Sequence, residues 1–463
     1  MKQRLNLLFC CAILVMSCYD ARGLAIRTPA EMPMTPSSIT EESPNPLDAG
    51  TEPDAGSTLP VDAGTAPQEA DAGAPTIDPC AFELTVHTPR IDPRDTWSIA
   101  DFNRLIDCVD NNPSNQAQYV EQFWTSHLSY GGSAIWDGAN AIILQRGDTE
   151  GLSVSGSFDN WPEDQGRVFQ RIGNSDLSFV RIPLDRNGRY QYKLLRVQNN
   201  EKTWTMDKAN RWIVWDGFDQ GAIGNFNNEI IGPGHRLERS LLYRYEIGLR
   251  DAYIYLPPAY FEASEIRKIL YVSDGNEYLT RAGVQAIIDD TILANRVSPI
   301  VGVFLGLESQ NERIQEYTYG PGQKGDAYVD AIATDWVPEI EQYFGLNIQA
   351  SERGITGASL GGLISFYAAV KHNQVFQKIA AQSGSFWYGE GDMISRIRNG
   401  PVMNARFYLD SGSPNDNSES TRLMVNALEA RGYEYHHIEE NGGQHEWSFW
   451  AGRFDEMLEN LFR

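Results

Sequence analysis

The sequence predicts an α/β protein with a mostly parallel central sheet covered by helices, preceded by an all-β sandwich. Three observations carry this. From about residue 236, near-continuous apolar runs alternate with helix-period segments, and strands that are apolar throughout are buried on both faces. From about 134 to 225 the apolar period is two, broken by Gly, Asn and Asp turns, the pattern of short sandwich strands. Between a strand and a helix stands Gly354-Ile355-Thr356-Gly357-Ala358-Ser359-Leu360-Gly361-Gly362, which contains Gly-x-Ser-x-Gly.

The chain has 463 residues, 41% of them hydrophobic, and a net charge of −24. That length fits two or three domains. The charge argues against nucleic acid or an anionic membrane surface as partner. Residues 1–18 read as an export signal, with Lys2 and Arg4 ahead of the apolar run Leu5 to Met16, too short to span a bilayer. Val15-Met16-Ser17-Cys18 looks like a bacterial lipobox with Val15 where leucine is usual, so Cys18 is the expected lipidation site. Residues 19–77 repeat Asp-Ala-Gly from Asp48, Asp54, Asp62 and Asp71. Too few bulky apolar residues are present to offset ordering entropy, so this reads as a tether. A membrane-anchored lipoprotein facing the periplasm or cell surface is the expectation, with the lipid as its sole membrane contact. Cys80 and Cys108 remain in the exported body, and an even pair there suggests one disulfide. No Cys/His cluster has metal spacing, and no cofactor is expected.

Residues 78–132 are predicted helical. Ser98 can cap a helix bearing Ile99, Phe102, Leu105, Ile106 and Val109, and Tyr119, Phe123 and Trp124 mark a second one. The sandwich is expected over 133–232, with strands around Ile142–Leu144, Leu152–Val154, Phe179–Ile182 and Tyr190–Leu194. Trp161, Trp204, Trp212 and Trp215 are candidate exposed rings for stacking on sugars or aryl groups. The α/β domain is expected over 236–463. It includes a helix over Val284 to Leu293, another over Ala327 to Phe344 that Pro338 is expected to kink, and a last helix from Trp447.

A serine at a strand–turn–helix junction is lifted onto the amino end of the helix, where the Leu360 amide and the helix dipole face a developing oxyanion. Serine is a poor nucleophile alone and needs a histidine base held by an acid, in the chain order Ser, acid, His. After Ser359 the candidates are His372, His436, His437 and His445. His372 lies in the helix or loop just past the elbow and points away, and His436 and His437 lie in a strand. His445, in the glycine-rich loop from Gly442 to Trp447, is the expected base. The acid belongs to the loop after Leu409. Asp416 ranks ahead of Glu419, and Asp410 is third because it lies close to the strand. Gly275 and Asn276, after the strand ending at Ser273, are expected to give the second oxyanion amide.

Val154-Ser155-Gly156-Ser157-Phe158-Asp159-Asn160-Trp161, Tyr192-Lys193, Trp204 and Asp207 to Asn210 resemble the early-set immunoglobulin-like sandwich of starch- and glycogen-binding modules. A similar sandwich precedes the catalytic domain of enterochelin esterases. Tyr271 to Leu279, Asn311-Glu312-Arg313 through Glu316-Tyr317, Gly357 to Gly362, Gln382-Ser383-Gly384-Ser385-Phe386-Trp387 and Gly442 to Trp447 resemble the putative-esterase family of α/β-hydrolases. That family groups enterochelin esterases, feruloyl esterases, S-formylglutathione hydrolases and mycolyltransferases. The resemblance covers about the last two thirds of the chain. It implies an esterase with Ser359 as nucleophile, His445 as base, and amides of Leu360 and Asn276 in the oxyanion hole. Trp387, Trp447 and Arg313 are the expected substrate contacts. The chain departs from the family in reading Gly-Gly-Gln-His for Gly-Gly-His, and in one extra residue in the acid loop. The substrate expected is a small-molecule or glycan-linked ester, with carbohydrate contact through the sandwich. An acyltransferase, or an inactive surface glycan-binding protein, would share these features.

Overall fold

Among the described residues thirteen strands pair edge to edge in one large sheet, a fourteenth pairs alongside one of them, and a second sheet of four strands lies against it. These come from a computed structural model, which describes residues 78–82, 91–95, 98–129, 131–164, 166–218, 226–262, 265–309, 311–414 and 416–463. The export segment, Cys18 and the tether lie outside the described residues.

Six neighbouring strands of the large sheet are parallel, in the order Glu434–Asn441, Arg406–Ser413, Lys378–Gln382, Arg353–Thr356, Ile269–Val272 and Val301–Leu305. Four of them, from Lys378–Gln382 to Val301–Leu305, are buried at every position, as expected of parallel strands covered on both faces. On one face lie Val329, Ile340, Leu363 and Phe366. On the other lie Ile288, Leu458 and Leu461. From Ile269–Val272 the chain first adds the strand on one side, then adds the remaining four on the other. The order therefore reverses between Ile269–Val272 and Arg353–Thr356, and the crevice at such a reversal is where open α/β sheets bind ligands.

Antiparallel strands Arg250–Leu256 and Leu241–Ile247 continue the sheet, and the second pairs with Trp212–Trp215. The expected boundary between residues 232 and 236 is therefore no break in the hydrogen bonding: sandwich strands extend the α/β sheet. The sandwich itself is present as layers. Ile142 and Leu144 face a cluster with Phe102, Leu105 and Phe123 of helices Ile99–Asn111 and Gln116–Ser129. Their neighbours Ala141 and Ile143 face Val154, Tyr192 and Leu194 of the large sheet. A strand covered on both sides explains why Ile142-Ile143-Leu144 is apolar without alternation. Ser98 caps the first helix by accepting from Asp101 N–H, and Cys80 is bonded to Cys108 on that helix. Asp207 and Asn210, part of the sandwich resemblance, are buried. Asp207 accepts from the Tyr192 hydroxyl at 2.7 Å and Gln145 Nε2 at 2.6 Å.

Two helix expectations change. The segment around Pro338 is three pieces: Gly325–Ala331, a wide π-turn over Ile332–Trp336, and Val337–Tyr343. Pro338 falls in the first turn of the last piece, where its missing N–H is least costly. The final helix is split into Trp447–Ala451 and Phe454–Phe462. Trp212, expected to be exposed, is 1% accessible and meets the Tyr243 ring edge-on at 5.0 Å. It packs because its strand lies inside the extended sheet. Trp215 is half-buried, and Trp161 and Trp204 lie 6.3 Å apart, ring to ring.

Candidate active site

The turn after Arg353–Thr356 holds Ser359 at φ 59° and ψ −120°, and the helix Leu360–Lys371 begins at the next residue. Only glycine adopts positive φ without strain, so the serine is held there by its surroundings. A Cβ on Gly357 would lie 2.6 Å from the Gly361 carbonyl carbon. Ser359 N–H donates to Gln382 O at 2.9 Å, and Ser385 N–H donates to Ser359 O at 2.9 Å. The end of the neighbouring strand thus clamps the turn from both sides. Ser359 Oγ lies 3.2 Å from Ser385 Oγ. No hydrogen bond joins it to His445 among the described residues. Leu360 N–H is the first of the helix and has no carbonyl partner within it.

Across the reversal point, Ser273 N–H donates to Thr356 O at 2.9 Å. Asp274 turns the chain at φ 57°, and Gly275–Thr280 is a short helix. Gly275 and Asn276 therefore present first-turn amides beside the elbow. Gly275 is required: a Cβ there would lie 2.2 Å from the Phe304 carbonyl carbon. Arg313, an expected substrate contact, forms an ion pair with Asp274, with Nε on Oδ1 at 2.7 Å and a terminal nitrogen on Oδ2 at 2.6 Å. Burial weakens its charge, but the Asp274 carboxylate more than offsets this and raises its pKa. Arg313 thus anchors the turn that leads into Gly275–Thr280.

His445 Nδ1 lies 2.6 Å from Asp416 Oδ1. The same oxygen accepts from Asn417 N–H, and Oδ2 accepts from Gly412 N–H, both at 2.8 Å. Ser383 Oγ completes the set on Oδ2. Burial alone would push the Asp416 pKa up. The hydrogen bonds from His445, Ser383, Gly412 and Asn417 outweigh it and hold the carboxyl at about 2. Glu419, the alternate acid, lies exposed in the first turn of Ser418–Ala430. Asp410 is inside Arg406–Ser413, fully buried, facing Arg453 and Gln382. Of the other histidines, His372 pairs with Asp330 through Nε2 at 2.6 Å, and His436 and His437 lie along Glu434–Asn441.

Trp387 is 57% exposed, with Nε1 donating to Asn417 Oδ1 at 3.1 Å. It forms one wall of a cavity of about 610 Å³ that also includes Ile394, Arg398, Asp416, Glu419 and Leu423. A second opening, of about 530 Å³, runs along Ser413, Pro414 and Gly442 to Glu446 and includes His445. Trp447 is half-buried, its ring edge-on to Tyr278 at 5.2 Å and to Trp450 at 4.9 Å. It packs against the core cluster that holds Tyr278 and Trp450. Sequence reasoning assigned no role to Ser383, Ser385, Asn417 or Trp450. For the two serines a signal existed, because Gln382 to Trp387 directly follows a parallel strand at its carboxyl end. For Trp450 there was none.

Six adjacent parallel strands within a mixed sheet, carrying a strained serine at a strand–helix turn, are the arrangement of an α/β-hydrolase. Residues 249–461 match the family described as Putative esterase. The chain is 28% identical over 244 residues to the uncharacterized protein YbbA of Bacillus subtilis (strain 168), covering 48% of this chain and 96% of that protein. Among solved structures it is similar to the enterobactin esterase of Shigella flexneri in the presence of enterobactin (15% identity, 70% of this chain and 92% of the other, TM-score 0.43). It is also similar to a ferulic acid esterase (17% identity, 49% and 98%, TM-score 0.43).

Proposed function

We propose that the chain is a serine carboxylic-ester hydrolase working through Ser359, His445 and Asp416. The observation that carries this reading is the His445–Asp416 contact at 2.6 Å, on the two strand ends beyond the one that clamps Ser359. Asp416, ionised at neutral pH, accepts the Nδ1 proton and leaves His445 Nε2 free to take a proton. In the reaction Ser359 Oγ leaves Ser385, gives its proton to Nε2 and attacks the ester carbonyl. The amides of Leu360 and of Gly275 or Asn276 meet the oxyanion, each worth on the order of 3 kcal/mol. His445 then protonates the departing alcohol. Water, deprotonated by the same nitrogen, releases the acid from the acyl-enzyme.

The cavity beside Asp416 is read as the substrate cleft, with Trp387 as its aromatic wall. The substrate class is a small-molecule or glycan-linked ester. Trp161 and Trp204, close together on the sandwich, are the pair proposed to meet a sugar. Export and lipidation at Cys18 are proposed from the sequence of the first 18 residues. The test is Ser359→Ala assayed on an aryl ester: turnover should vanish with the fold intact, and undiminished turnover would reject the mechanism.

A further inference from the structure

We propose that Ser383 is a positioning residue for ester cleavage, fixing Asp416 in the orientation that presents His445 to Ser359. The proposal rests on the serine-hydrolase reading above. Ser383 directly follows the strand Lys378–Gln382 and is fully buried at φ 48°, a conformation a non-glycine residue holds only under constraint. Every polar group it owns is engaged. Its N–H donates to Asp410 O at 2.8 Å. Its carbonyl accepts from Asn417 Nδ2 at 2.7 Å. Its Oγ lies 2.5 Å from Asp416 Oδ2 and 2.9 Å from Trp450 Nε1.

The direction of these last two bonds follows from chemistry. An indole N–H only donates, so Ser383 Oγ accepts from Trp450. Its single proton is then committed to Asp416, which as a carboxylate only accepts. The Trp450 ring, in turn, stands edge-on to the His445 imidazole, 5.0 Å away at 86°. Ser383, Asp416, His445 and Trp450 therefore close a ring of contacts drawn from the segments after three adjacent strands. The ring is tied to the elbow, since Ser359 N–H binds Gln382 O and Ser385 N–H binds Ser359 O. With all donors on Asp416 fixed, His445 must carry its proton on Nδ1, the tautomer that leaves Nε2 as a base.

Ser383→Ala tests this on an aryl ester. A hydrogen bond to a charged group is worth roughly 1.5–3 kcal/mol, so kcat should fall about tenfold or more, with KM changed about twofold or less. Without the Ser383 proton, more of the Asp416 charge is felt by the imidazolium. The acid limb of the pH–rate profile should therefore move to higher pH. Trp450→Phe keeps the ring against His445 but removes the N–H that polarises Ser383. It should move the limb in the same direction by less, and it carries the test if Ser383→Ala proves unfolded by its thermal midpoint. Wild-type kcat, or a lowered kcat with an unmoved acid limb, in a folded variant overturns the proposal. Ser359→Ala run beside them separates the two ideas. If it stays active, the reading of the site fails; if it is inactive while Ser383→Ala runs at the wild-type rate, only the role of Ser383 fails.

Discussion

Replacing Asp416 by Asn changes one atom and removes one charge, and the surroundings of Asp416 make its effect calculable. Both carboxylate oxygens accept from a backbone N–H that cannot turn away, Asn417 on Oδ1 and Gly412 on Oδ2. The amide nitrogen of Asn must occupy one of these places, so one fixed donor faces another. An unsatisfied buried donor costs roughly 1–3 kcal/mol of stability. If the nitrogen sits at the Oδ1 place, it also faces His445 Nδ1, which must then accept, and the proton moves to Nε2. That nitrogen can no longer serve as base. If it sits at the Oδ2 place, the tautomer survives but the imidazolium loses its counter-charge. Either way kcat should fall by about 10³- to 10⁴-fold, or roughly 4–5.5 kcal/mol. The assay is steady-state hydrolysis of an aryl ester at neutral pH, with unfolding by urea in parallel. The wild-type carboxyl is lowered from 3.8 to about 2 by these bonds, and its side chain is fully buried. Its contribution of about 2 kcal/mol is therefore present above pH 4 and lost as pH falls from 4 towards 2. The variant should lack that acid dependence. A rate within about tenfold of wild type would refute the reasoning, because the charge would then be idle.

Other consequences are as direct. His127, on the helix Gln116–Ser129, is fully buried, and burial lowers its pKa to about 4. It must stay neutral in the folded chain, so its contribution of about 3 kcal/mol is present above pH 6.5 and lost as pH falls towards 4; His127→Gln should flatten stability against pH over that window in urea titrations. Gly357→Ala should cost roughly 1–3 kcal/mol, read from the thermal midpoint, and depress kcat, because the new methyl meets the Gly361 backbone. Trp387→Ala should raise KM for an aromatic ester about three- to tenfold with kcat little changed, as expected of a wall that binds ground and transition states alike. Replacing Cys80 and Cys108 by Ser opens a closure of 28 residues and should lower stability by about 3 kcal/mol without altering kcat.

Much of the catalytic half was legible because its signals are local. Near-continuous apolar runs marked the strands Ile269–Val272 and Val301–Leu305, and Gly-x-Ser-x-Gly marked the turn, since only a glycine at 357 leaves room for the Gly361 backbone. Chain order left four histidines and the glycine-rich loop singled out His445, and loop position put Asp416 ahead of Glu419; the structure brings His445 and Asp416 together. What was hidden depends on contacts far apart in sequence. Arg313 reads as a substrate contact, and its ion-pair partner Asp274, 39 residues earlier, is not marked in the sequence. Trp212 reads as a sandwich tryptophan, but pairing of its strand with Leu241–Ile247 buries it. Trp450 Nε1 reaches Ser383 Oγ across 67 residues, and no periodicity records such a bond. The sheet running through the expected domain boundary was hidden for the same reason: strand pairing is a property of two segments, and a single segment carries only its own face pattern.

The most direct test of the account is covalent capture of the nucleophile. The folded protein is treated with a fluorophosphonate at neutral pH, digested, and the peptides are mapped by mass spectrometry. A stoichiometric adduct on Ser359, slowed in step with kcat by Asp416→Asn, is the predicted result. An unlabelled Ser359 in a protein that still hydrolyses esters, or an adduct carried by another serine, would contradict it.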